Sequence, residues 1–195
     1  MYLKSILNKK YIHIICVLLF LLLSIATGPD NFRAPHKLLP DLQDTVLAMA
    51  LMTWPAHCIQ SAQCSIADFP IFYPERGALF FTDSLIGIGL IFNSLRTFLS
   101  LQLSYNLSLL TLSSLNFYSF FLLMRFAHIR YPAAFFSSTV FAAIPYVFQF
   151  GSHIQLYALF LWPLALLFLL KFFEAFETRW LYWLSTVLAC TFYLS

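Results

Sequence analysis

The chain has 195 residues, of which 61% are hydrophobic, 19% aromatic and only 10% charged, whereas a soluble domain is roughly 45–50% apolar and about 25% charged. A domain this small cannot hide so much apolar surface, and runs long enough to cross a bilayer recur, so composition argues against a soluble globular protein and for an integral membrane protein. The net charge of +3 comes without a basic run interleaved with aromatics, which leaves nucleic-acid binding unsupported.

The opening, "MYLKSILNKKYIHIICVLLFLLLSIATGPD", sets Lys4, Lys9 and Lys10 before an apolar run from Tyr11 to Thr27. It resembles a signal peptide, but no small-x-small cleavage site precedes the next loop. The expectation is an uncleaved span over about 11–27, its N-terminus in the cytoplasm. Gly28-Pro29-Asp30-Asn31 is the turn signal that ends it.

An outer loop of about 28–100 follows. Six of the eight acids (Asp30, Asp41, Asp44, Asp68, Glu75, Asp83) lie between the first hydrophobic run and the second. "PDLQDTVLAMALMTWP" predicts an amphipathic helix over about 41–54, with Pro40 before its first turn and Pro55 marking its end. Leu42, Val46, Met49 and Ala50 share one side, and Asp41, Asp44, Thr45 and Ala48 another. Too short and too acidic to span, this helix is expected at the interface. Cys58 and Cys64 share the loop. They pair if it faces an oxidising compartment; two separate thiols are the equal alternative. Their spacing is not that of a zinc site, and no ligand motif supports a divalent metal. Cys16 and Cys190 lie inside apolar runs as packing residues.

The segment "SLIGIGLIFNSLRTFLS", 84–100, is interrupted by Asn93 and Arg96, and a central Arg costs at least about 2.5 kcal/mol on insertion scales. If it does not cross, spans over about 101–124, 132–150, 156–173 and 180–195 leave Arg125, His128, Arg130, Lys171 and Arg179 in the cytoplasm. If it crosses, the four Arg and Lys residues fall outside. The positive-inside rule favours an interfacial or re-entrant helix over about 84–100. The last run, from Trp180 to Ser195, is short for a span, so the chain is expected to be the N-terminal part of a larger protein. The predicted fold is all-α: a polytopic transmembrane helix bundle with interfacial juxtamembrane helices in the first outer loop.

Three polar sets face the outer side in this topology: Asp41 and Asp44; Asp68, Tyr73, Glu75, Arg76 and Asp83 in "DFPIFYPERGALFFTDSLIG"; and Gln149, His153 and Gln155 in "PYVFQFGSHIQLY". Consecutive spans deliver their outer ends to one level, so these sets are expected to meet. Each has a plainer explanation. Asp30, Glu75 and Asp68 read as solvated surface charges, Asp83 as an N-cap, His153 as a satisfied interfacial histidine. Phe72, Tyr73, Phe80 and Phe81 read as an interfacial aromatic belt. Asn106 opens an unmodified sequon at the start of a span. Asp44 is different. A carboxylate with apolar neighbours on both sides is costly without a partner or a task. Its chemistry suits a general base on an acceptor hydroxyl, with Arg76 or Arg96 holding a phosphate leaving group.

The order of a first span, a long outer loop, "DxxxxxxxxxW" (Asp44 to Trp54), "DFPIFYPERGALFFTDSLIG", "YNLSLL", "PYVFQFGSHIQL" and "LWPLALLFL" resembles the N-terminal region of bacterial multispanning glycosyltransferases of the GT-C type. The resemblance covers most of the chain. It implies an inner-membrane enzyme with a polyprenyl-phosphate-linked sugar donor and inverting transfer on the extracytoplasmic side. It also implies a catalytic acid in the first outer loop, matched best by Asp44, with Asp83 second. His153 and Gln155 match a later outer motif for substrate binding, beside Tyr73, Arg76 and Arg96. The competing expectation is a non-enzymatic multispanning protein, such as a lipid-linked-sugar or polysaccharide export component, or a structural subunit. A transporter needs ionisable or broken-helix features at mid-membrane depth, and Asn116 is the clearest polar residue at a predicted span centre.

Overall fold

A computed structural model describes residues 2–28, 30–34, 42–62, 64–72, 74, 76–77, 85–147 and 153–194. Regular structure among them is entirely helical: α1 (Tyr2–Thr27), α2 (Asp30–Arg33), α3 (Leu42–Ser61), α4 (Ile86–Arg96), α5 (Leu101–Phe126), α6 (Tyr131–Val147), α7 (Leu161–Ala175) and α8 (Thr178–Leu194), with 3-10 turns at Pro70–Phe72 and Ile154–Tyr157. Among the described residues two stretches, Leu101–Phe126 and Ile154–Ala175, are long and apolar enough to cross a membrane. At 1.5 Å per residue α5 is about 39 Å long, against about 30 Å of bilayer hydrocarbon. The 11 residues of α4 reach only about 16 Å.

The starts and stops are local. Ser100 caps α5 by accepting from the Leu103 amide at 3.4 Å. His128 takes a left-handed φ of 60° in the turn after α5, and Phe176 one of 51° between α7 and α8. The Phe176 amide still donates to the Phe172 carbonyl at 2.7 Å, closing the last turn of α7.

α5 is the spine of the fold, and two apolar clusters form along it. At its N-terminal half, Tyr105, Leu109 and Leu112 pack with Ala48, Met49 and Met52 of α3, Leu85, Ile88 and Phe92 at α4, and Ile154 and Tyr157. At its C-terminal half, Phe117 and Phe121 pack with Cys16 and Phe20 of α1 and Ala134 and Ala142 of α6. Large apolar side chains remain outside these clusters, among them Leu18 and Leu22 of α1, Phe136 of α6, Trp162 of α7 and Tyr182 of α8.

α3 departs from expectation twice. It runs through Pro55 to Ser61, although Pro55 offers no amide to the carbonyl four residues back. The loop that follows folds back on this last stretch: Trp54 Nε1 donates to the Ile66 carbonyl at 3.1 Å, and Cys58 is bonded to Cys64, with Cα atoms 5.1 Å apart. These tertiary ties hold a helix that local sequence would have ended. The buried face also differs. Met49 and Ala50 of the expected apolar side pack in or against the core, but Thr45 and Ala48 from the other side are buried too, while Val46 is 52% exposed. Apolar residues occupy several sides of α3, so its neighbours choose the face. Asn93 Nδ2 donates to the Met52 carbonyl at 2.7 Å and to the Gly89 carbonyl at 2.8 Å. A Cβ on Gly89 would sit 3.0 Å from the Met52 carbonyl oxygen, so the missing side chain lets the two backbones close up.

Candidate functional site

The turn ahead of α7 and the start of α3 meet at the N-terminal end of α5. Asp44 Oδ2 lies 3.5 Å from His153 Nε2, with the side chains 45% and 48% exposed respectively. This is longer than a charge-assisted hydrogen bond of about 2.7–2.9 Å. It is an electrostatic pairing, charged on both sides only when His153 is protonated, and it is open to solvent.

Hydroxyl-bearing residues near the pair are buried. Tyr105 is fully buried and lies within electrostatic reach of both Asp44 and Tyr157. The Thr45 hydroxyl, also buried, is a side-chain neighbour of the Tyr105 hydroxyl, without the alignment of a full hydrogen bond. The turn bearing His153 is fixed from α5: Asn116 Nδ2 donates to the Tyr157 carbonyl at 2.8 Å. Within that turn the Leu156 amide donates to the His153 carbonyl at 3.0 Å, and the Ala158 amide to the Gln155 carbonyl at 3.0 Å. Asn116 Oδ1 is buried without a hydrogen-bond partner. The polar residue singled out at a span centre thus works mainly as a clamp between α5 and this turn.

The other candidates are dispersed. Gln155 is half-buried on the 3-10 turn, two residues beyond His153. Arg96 is exposed in the last turn of α4, and Arg76 is exposed beside Gly77; among the described residues neither arginine pairs with Asp44 or His153. Asp41, Tyr73, Glu75, Asp83 and Gln149 lie outside the described residues. Asp68 has a structural task beyond that of a surface charge. Its Oδ1 accepts from the Gly77 amide at 2.7 Å, and Gly77 has φ 72°, a conformation that favours glycine. Asn106 is buried, which removes its side chain from any glycosylating enzyme. Among the described residues no three His, Cys, Asp or Glu side chains gather as a metal site.

Sequence reading missed Tyr105, Thr45 and Tyr157. A signal was present in "YNLSLL": a tyrosine in a helix this apolar carries a hydroxyl that needs a polar neighbour once buried.

The opposite end of α5 collects cations. Arg125 stacks on the Tyr131 ring at 3.7 Å, donates to the Ile129 carbonyl and acts electrostatically on His13 of α1. Lys171 Nζ lies 6.0 Å from the centroid of the Phe126 ring. From Tyr105 to Arg125 the helix rises about 30 Å. Tyr105 and Arg125 therefore stand about as far apart along α5 as the hydrocarbon core of a bilayer is thick.

Neither protein-family models, curated proteins nor solved structures provide a match to this chain.

Proposed function

We propose that this chain is an integral membrane glycosyltransferase, or the N-terminal part of one. It transfers a sugar from a polyprenyl-phosphate-linked donor to an acceptor hydroxyl on the extracytoplasmic side. The observation that carries the reading is the solvent-open Asp44–His153 pair at the end of α5 away from the cations. The acceptor oxygen attacks the anomeric carbon and Asp44 takes its proton. The bond from that carbon to the phosphate oxygen breaks, and polyprenyl phosphate leaves with the electron pair. The His153 imidazole beside Asp44 is the nearest donor on offer to the leaving phosphate. Tyr105, buried in α5, lies within electrostatic reach of the carboxylate.

Orientation follows from charge. Arg125, Lys171 and the N-terminal part of α1 share one end, and the positive-inside rule assigns such an end to the cytoplasm. Cys58 and Cys64 are bonded, and this orientation puts their loop outside, in keeping with an oxidising compartment. A bacterial inner membrane fits both, with the N-terminus cytoplasmic.

The test is transfer by the purified full chain in mixed lipid–detergent micelles. A panel of polyprenyl-phosphate hexoses serves as donor and a soluble polyol as acceptor. Label should move to the acceptor with the wild-type chain and not with Asp44→Asn. Equal turnover by the two proteins sinks the base assignment.

A further inference from the structure

We propose that the turn between α7 and α8 carries a site for the phosphate headgroup of an anionic phospholipid, formed by Lys171 and Arg179 around the Trp180 indole. Lys171 Nζ lies 4.4 Å and Arg179 Cζ 4.9 Å from the centroid of that one ring. Phe168 stacks on the same indole with centroids 6.0 Å apart, which fixes the ring. Two cations set this close to one ring centroid repel each other, and an anion bound by both offsets that repulsion.

The nearby acids do not fill this role. Glu177 pairs with Arg179 at Nε, but a guanidinium has five donors and one carboxylate contact does not exhaust it. Lys171 has no acidic partner among the described residues. Arg125, by contrast, is engaged with the Tyr131 ring and the Ile129 carbonyl, so it is left out of the site.

The surroundings suit a lipid over a free phosphate. Phe173, Phe176, Tyr182 and Trp183 are exposed around the same turn, as aromatic side chains are at the headgroup level of a membrane. Leu170 and Leu181 continue that exposed surface and would lie along acyl chains. Basic pockets between helices on the cytoplasmic side hold anionic headgroups. This inference rests on the membrane reading and its orientation, not on glycosyl transfer.

The experiment counts lipids retained by the full chain in native mass spectrometry, titrated with phosphatidylglycerol or phosphatidylcholine. Phosphatidylglycerol should be preferred. Lys171→Gln with Arg179→Gln should weaken its retention by about 30-fold, to the level of phosphatidylcholine, while Lys171→Arg with Arg179→Lys should keep it. Equal retention of both lipids by the wild-type chain overturns the site. So does undiminished phosphatidylglycerol binding by the glutamine pair, or displacement of the lipid by inorganic phosphate. Asp44→Asn should bind phosphatidylglycerol as the wild type does, so a failure of the enzyme reading and a failure of this site are seen separately.

Discussion

Asp44 and His153 approach to 3.5 Å across the start of α5, one from the first turn of α3 and the other from the turn ahead of α7. A half-exposed pair of this kind contributes only about 0.2–1 kcal/mol to stability. The fold is therefore expected to survive its removal.

Asp44→Asn and His153→Gln should each shift the unfolding free energy by less than about 1 kcal/mol. Transfer by Asp44→Asn should fall by about 10²–10⁴-fold, the usual range for a lost general base. Thermal unfolding in detergent and initial transfer rates measure the two effects. A large loss of stability with proportionate loss of rate would make the pair a structural tie.

Asn116→Ala removes the donor that holds the Tyr157 carbonyl at 2.8 Å. Leaving a buried carbonyl without its partner costs about 1–3 kcal/mol. The turn carrying His153 loosens with it, so the unfolding midpoint and the transfer rate should fall together. An unchanged midpoint would mean that the turn is held by its own 3-10 hydrogen bonds.

Gly89→Val places a branched side chain where a Cβ alone would already stand 3.0 Å from the Met52 carbonyl oxygen. Forcing α3 and α4 apart should cost about 1–3 kcal/mol and break the Asn93 bond to Met52. The denaturation midpoint reads the cost. Stability equal to wild type would show that the two helices tolerate separation.

The Cys58–Cys64 bond closes a short loop, for which chain entropy predicts about 2 kcal/mol of stabilisation. In a Cys16→Ala, Cys190→Ala background, a polymer-linked maleimide should label no cysteine before reduction and two after it. An impermeant reductant added outside intact spheroplasts should suffice. Labelling without reduction would show free thiols, and a need for permeabilised cells would put the loop on the cytoplasmic side.

Some of this was readable before any tertiary contact. Apolar runs bounded by Gly28-Pro29 and the Arg125–Arg130 turn mark helices and their ends, because hydropathy and turn chemistry act over a few residues. Asp44 stood out because a carboxylate among apolar neighbours is costly. Asp68 and Asn116 were visible as polar residues, but their tasks were not. Asp68 holds the Gly77 turn and Asn116 the Tyr157 carbonyl, and both partners are backbone groups that any sequence supplies.

The sequence by itself determined an all-helical, strongly apolar chain with six of its eight acids in one segment between the first two apolar runs, since composition and charge order are properties of the string. Only the tertiary structure decided that α3 continues past Pro55, that it buries Thr45 and Ala48 in place of Val46, and that Asp44 meets His153. The physical reason is the same in each case. Continuation past a proline, the choice of buried face and the pairing of distant side chains all depend on what packs against the helix. Here that is Gly89 and Asn93 of α4, Tyr105 of α5 and the turn fixed by Asn116.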